Sequence, residues 1–178
     1  MLAKKVIVFD FDGTLIQSNR LKYEAYFQLF PNEPGYRKLI ETILQASFEE
    51  SRYDILRRIL LGLGTGEGLE DRVAGLAGEY NRVVLAGAIA CPETGGAAAV
   101  LKSLQAKFHL YLSSTTPEES LLTIVESRGW RGFFRDIYGY PRKKPETLRA
   151  ILEAEKITPE EMLVVGDGKS DQDAAEAA

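Results

Sequence analysis

The sequence predicts an α/β fold: a parallel sheet flanked by helices, with an all-helical insertion after the first strand. Three observations carry that reading. Short apolar runs bounded by turn residues recur along the chain, helical patterns separate them, and the stretch from about 18 to 90 contains no convincing strand.

The elements follow in chain order. "KVIVFD" at 5–10 is short, β-branched and apolar throughout, as expected of a strand buried on both faces. Three helical patterns come next, near 18–30, 36–61 and 69–87, with Tyr23, Tyr26 and Phe27 expected in the core of this block and "SRYD" at 51–54 in mid-helix. The glycine-rich "GLGTGEG" at 62–68 reads as a loop between helices; it follows a helix, not a strand, and so lacks the setting of a dinucleotide-binding loop. Leu101, Leu104 and Phe108 give the helix at 94–107 an inward stripe. "FHLYLS" at 108–113 is the second strand. In "TTPEESLLTIVESRGW", Thr116 is placed as N-cap, Pro117 at the first helical position, Glu119 in a capping box and Gly129 as the stop. "RDIYGY" at 135–140 is a weaker strand, "TPEE" at 158–161 repeats the helix-start signature, and "EMLVVGD" at 161–167 is expected to be a fully buried strand.

Composition narrows the function. At 178 residues with 45% hydrophobic and 27% charged content, the chain is ordinary for a soluble globular protein. A net charge of −4 gives no nucleic-acid footprint, and "PRKKP" at 141–145 is too short to supply one. Four apolar residues separate Lys5 from Asp10, so neither a secretory signal nor a membrane span is expected, and the expected location is cytoplasmic. The lone Cys91 excludes an intramolecular disulfide and a multi-cysteine zinc site; it reads as a small buried residue. The single histidine, His109, lies within an apolar run and reads as a strand residue, which leaves proton transfer to carboxylates or lysines.

Ligands of open parallel sheets bind at the carboxyl ends of the strands. The first strand ends on Asp10, with Asp12 in a tight "DFDGT" turn; the second ends on Ser113 and Ser114; the third ends on Asp167, with Asp171 one helical turn on. If these strands are neighbours, the aspartates and Ser113 converge on one acidic site. A hard divalent cation such as Mg²⁺ relieves the repulsion of clustered carboxylates and leaves room for a phosphate. A phosphate suits Ser113 and the helix N-terminus behind it, and Lys144 is placed to balance the charge. Taken singly, Asp10 and Asp12 are ordinary turn residues and Ser113 an ordinary cap; their joint placement at successive strand ends argues against that.

"DFDGTL", "LYLSS", Lys144 before Pro145 and "VVGDGKSD" occur in the order of the four motifs of the haloacid dehalogenase-like superfamily, which the chain closely resembles. The resemblance implies a three-layer Rossmann-like core at 1–16 and 92–178 and a helical C1-type cap at 17–91. It implies that Asp10 is a nucleophile forming an aspartyl-phosphate and that Asp12 is general acid and then base. Ser113 and Lys144 would hold the phosphoryl oxygens. Mg²⁺ would sit on Asp10, the backbone carbonyl of Asp12, Asp167 and, through water, Asp171. Finer matches in "SSTTPEESL" and "YGYPRKKPETL" are similar to phosphoglycolate phosphatases, which implies a small phosphorylated metabolite as substrate. Ser114, Arg52 and Tyr53 are candidate substrate contacts, and Ser-Ser stands where the second motif often reads Thr-Asn or Ser-Asn.

Related activities fit less well. An acid at Asp12 favours phosphate chemistry over dehalogenation, and Lys22 and Lys38 are poorly placed for the Schiff base of a phosphonatase. A sugar-phosphate mutase or phosphotransferase shares Asp10 and Asp12 and stays open, while a non-catalytic binding module would be expected to have lost one of these residues. The superfamily sheet continues past the fourth motif with another strand and helix, so the expectation is that the chain is a fragment or that its edge strand is absent. "GDGKS" is no Walker-type loop, because Leu163 stands where its first glycine belongs.

Overall fold

The computed structural model describes residues 3–46 and 51–178. Four parallel strands form one sheet: β1 (Val6–Phe9), β2 (His109–Pro117), β3 (Asp136–Tyr140) and β4 (Met162–Val165), in the order β3-β2-β1-β4. The registers Phe9↔Leu112 and Phe9↔Val165 end β1 and β4 at one level, beside Leu112 of β2, which runs on to Pro117. This is the α/β sheet expected of strands joined by helical crossovers.

Alternation along β1 shows why an unbroken apolar run was needed. Successive side chains point to opposite faces. Val6 and Val8 pack with Tyr111, Leu148, Ile151 and Met162 on one face, while Ile7 and Phe9 are equally buried. The layers are supplied by α5 (Ala97–Leu104), α6 (Glu118–Ser127), α7 (Lys144–Glu155) and α8 (Lys169–Glu176). Gly139 is required where β3 passes α6, because a Cβ there would lie 2.4 Å from Glu118 Cα, a backbone atom that cannot swing aside.

Contacts divide the chain into two units: residues up to Ser18 together with Ile89–Ala178, and Asn19–Ala88. The second unit is all helical, built from α1 (Asn19–Gln28), α2 (Pro34–Ala46), α3 (Arg52–Gly62) and α4 (Leu69–Ala90), which runs into the first unit at its end. It has its own core, with Tyr26, Ile40, Leu56, Ile59, Leu60 and Ala77 buried together. Among the described residues, no helix is long and apolar enough to cross a membrane.

Several local expectations are corrected. The pattern at 36–61 is two helices; residues 47–50 lie outside the described ones, and Ser51 starts α3 by accepting from Asp54 N–H at 3.2 Å. "SRYD" is therefore a helix start, not mid-helix. β2 runs on to Pro117, and α6 starts at Glu118 with no side-chain cap, so Thr116 is not its N-cap and Glu119 completes no capping box. At 158–161 the same four residues open only a 3₁₀ turn, Pro159–Glu161, where the Glu161 carboxylate accepts from Thr158 N–H at 3.1 Å. Among the described residues β4 is the edge of the sheet, and Leu163 is 41% exposed where full burial was expected. Tyr26 is buried, but Tyr23 is exposed and packs its ring against Phe27. Cys91 is half-buried beside Arg128.

Candidate active site

The site is built at the carboxyl end of the sheet, from the turn after β1, the last residues of β2, the start of α7 and the β4–α8 turn with the first turn of α8. Asp10 N–H donates to Val165 O at 2.8 Å, so the β1–β4 ladder continues up to the carboxylate-bearing residue. The chain then turns sharply: Leu15 and Ile16 N–H both donate to Phe11 O, with Gly13 at φ 79°. That left-handed position favours glycine and swings Asp12 back over the strand end.

Lys144, the first residue of α7, reaches across and donates to Asp10 Oδ1 at 2.9 Å and to Asp171 Oδ1 at 2.7 Å. All three side chains are more than nine-tenths buried. Burial pushes the Asp10 carboxyl up to about 6, with Asp171 adding to the rise and Lys144 opposing it. Lys144 itself is pulled down by burial, but the two carboxylates outweigh this and hold it above its usual value. Asp171 also accepts from Gly168 N–H at 3.3 Å, and Gly166 lies so close that a Cβ would fall 2.2 Å from the Asp171 carboxyl carbon. Asp167 is exposed and accepts from Thr14 Oγ1 at 3.3 Å. Asp10, Asp167 and Asp171 each offer an oxygen within 4.8 Å of the others. Ser113, buried, lines the same small cleft as Asp10, Lys144 and Asp171.

Asp12 sits in a different environment. Its Oδ1 accepts from Ser18 Oγ at 2.6 Å; its Oδ2 accepts from Thr116 Oγ1 at 2.7 Å and Ser114 Oγ at 3.3 Å. A cation flanks Asp10, whereas hydroxyls flank Asp12, so two aspartates two residues apart have different neighbours.

The sequence profile of haloacid dehalogenase-like hydrolases matches residues 4–178. The chain belongs to this family. A phosphoglycolate phosphatase of Vibrio cholerae is 37% identical over 84 residues, which are 44% of this chain and 37% of that protein. The chain therefore matches little more than a third of that relative's length. A phosphoglycolate phosphatase of Rhodospirillum rubrum is 28% identical across 98% of this chain and 76% of its own. The magnesium-bound YfnB protein of Bacillus subtilis shares the fold, with a TM-score of 0.72 at 20% identity over 99% of this chain and 86% of its own.

Of the residues singled out from sequence, Asp10, Asp12, Ser113, Ser114, Lys144, Asp167 and Asp171 all lie at the carboxyl end of the sheet. Arg52 and Tyr53 belong to the helical unit. Arg52 donates to Asn81 Oδ1 and lies over the Tyr80 ring, while Tyr53 is exposed at the start of α3. Sequence reasoning missed Thr14, Ser18 and Thr116. Thr116 carried a signal, a hydroxyl two residues past a strand-end serine, but the following Pro-Glu-Glu pointed to a cap instead.

Proposed function

We propose that this protein is a Mg²⁺-dependent phosphatase that hydrolyses a small phosphorylated metabolite through an aspartyl-phosphate intermediate. The observation that carries the reading is Lys144 bridging Asp10 and Asp171 while Asp12, two residues on, is held apart by hydroxyls.

The Asp10 carboxylate attacks phosphorus, the P–O ester bond breaks, and the leaving oxygen takes a proton from Asp12. A water oxygen then attacks the same phosphorus and gives a proton back to Asp12. The Asp10–phosphorus bond breaks, inorganic phosphate leaves, and Asp10 is again a carboxylate. One water is consumed and Asp12 ends as it began. Lys144 and Ser113 hold the phosphoryl oxygens, and Lys144 keeps Asp10 oriented.

The donor set fits a hard cation: three carboxylate oxygens within reach of one another, against one buried lysine. Asp10, Asp167, Asp171 and the Asp12 carbonyl would hold Mg²⁺, which supplies positive charge against the phosphoryl group. The relatives named above make 2-phosphoglycolate the first substrate to try.

The test is release of inorganic phosphate from p-nitrophenyl phosphate, then from a panel of phosphorylated metabolites, with Mg²⁺ and with chelator. Wild type is expected to turn over only with Mg²⁺, and Asp10→Asn to lose at least about 1,000-fold in kcat, as expected when a covalent nucleophile is removed. Equal rates for wild type and Asp10→Asn would refute the mechanism.

A further inference from the structure

The mechanism uses Asp12 twice but does not explain what holds it. Hydroxyls from two segments almost a hundred residues apart in sequence meet on its carboxylate. Ser18 comes from the chain just past the Asp12 turn and engages Oδ1 at 2.6 Å; Thr116 and Ser114 come from the end of β2 and engage Oδ2 at 2.7 and 3.3 Å. Ser18, Ser114 and Thr116 are each at most 5% exposed.

This arrangement follows from the backbone. β2 continues past Ser113, and its pairing with β3 shifts register between Ser113 and Pro117. Residues two apart in an extended segment share a face, so Ser114 and Thr116 point the same way. Thr116 N–H donates to Ser114 Oγ at 3.1 Å, occupying a lone pair and leaving the Ser114 proton free to point at Asp12. Had α6 started at Thr116, its hydroxyl would have been spent on the helix end.

We infer that Thr116, supported by Ser114 and Ser18, is a positioning residue that locks the Asp12 carboxyl in one rotamer for both proton transfers; this rests on the phosphatase reading above. With hydroxyls on both oxygens, the carboxyl cannot turn without breaking hydrogen bonds. The same proton site therefore faces the leaving oxygen in the first step and the water in the second. Ser-Ser-Thr-Thr in the second motif thereby acquires a purpose: hydroxyls at 114 and 116 hold the acid, while Ser113 faces the nucleophile's cleft.

The experiment compares wild type, Thr116→Val, Thr116→Ser and Ser114→Ala with p-nitrophenyl phosphate and Mg²⁺, and determines crystal structures of wild type and Thr116→Val. Thr116→Val is expected to lower kcat by roughly 10- to 100-fold, the scale of a misaligned catalytic group, with KM within about twofold. Thr116→Ser should restore kcat to within about threefold, and Ser114→Ala, losing the longer bond, should cost less than Thr116→Val. In the Thr116→Val crystal the Asp12 carboxyl should have rotated off the Ser18 hydroxyl. Wild-type kcat in Thr116→Val, or an unmoved Asp12 there, overturns the inference. If wild type released no phosphate, the phosphatase reading would fall, while the Asp12 rotamer would still judge the positioning role.

Discussion

Lys144 balances two buried carboxylates, Asp10 just past β1 and Asp171 in the first turn of α8. Neither Asp10 nor Asp171 can leave its place: one is the last link of the β1–β4 ladder, the other is wedged against Gly166. Removing the cation leaves like charges facing each other out of water, the costly half of any buried ion pair. Lys144→Met is therefore expected to destabilise the metal-free protein by about 3–5 kcal/mol, the range for breaking a buried pair from one side. It should also push the Asp10 carboxyl above its already raised position, since Lys144 is the group that opposes the rise. Saturating Mg²⁺ should recover most of the lost stability by replacing the missing charge. Urea midpoints with Mg²⁺ and with chelator measure this; a Lys144→Met protein as stable as wild type in chelator would refute it. At this scale the residues that announce themselves are those at strand ends. Asp10, Asp12 and Asp167 stood out because each comes at or just after the end of an apolar run that reads as a strand, and Lys144 because it follows the weaker strand "RDIYGY". Thr116 did not, because its partner Asp12 is 104 residues away and its local context imitates a helix cap.

The elements divide labour between the two ends of the sheet. At the amino end of β2, Glu155, the last residue of α7, accepts from Tyr111 OH at 2.5 Å, His109 Nδ1 at 2.8 Å and Arg135 Nη1 at 3.2 Å. It thus joins α7 to β2 and to the residue before β3. Burial pushes its carboxyl up, but hydrogen bonds from Tyr111 and His109 with the charge of Arg135 outweigh this, and it lies below its ordinary value. A carboxyl lowered on folding adds stability above its unfolded pKa, and that stability is lost as pH falls through the folded one. Glu155→Gln should accordingly cost about 2 kcal/mol at pH 7, the worth of hydrogen bonds to a charged group. The gap to wild type should begin to close as the pH falls below about 4, the unfolded carboxyl's range, and vanish only below the lowered folded pKa, where both side chains are neutral. Urea midpoints of the two proteins across that range read this directly; a gap that stays constant would refute it. The His109 strand position was legible because an isolated histidine in an apolar run has little else to do. Its partner was not, since an acidic residue at a helix end looks solvated until the fold brings β2 beside it. The split of the 36–61 pattern was missed for a different reason: both halves repeat apolar residues three or four apart, and Ser51, which caps α3, reads as lying inside one helix.

The chain as a whole concentrates its chemistry in one of its two units. Every residue proposed to hold the cation lies within residues up to Ser18 or from Ile89 onward, on the carboxyl end of a four-stranded sheet. That architecture was legible from strands separated by helices, and the helical unit from the absence of strand patterns between β1 and β2. The exposure of Leu163 was not legible in its own strand: "MLVV" has the composition of a central strand, and among the described residues the pairing order places β4 at the border. A cation held by carboxylates from β1 and from the β4–α8 turn must stabilise the folded unit, because the unfolded chain brings none of them together. At about 100 times its dissociation constant, Mg²⁺ should add about 2.7 kcal/mol. For a chain of this size that is a rise of roughly 5–10 °C in melting temperature. Asp167→Asn removes one exposed ligand without emptying a buried site, so its melting point in chelator should stay close to wild type while the rise with Mg²⁺ largely disappears. Calorimetric scans of both proteins, with Mg²⁺ and with an equal ionic strength of NaCl, separate binding from general screening. An Mg²⁺ shift of the same size in Asp167→Asn, or an equal shift with NaCl, would mean that these carboxylates do not form the cation's site.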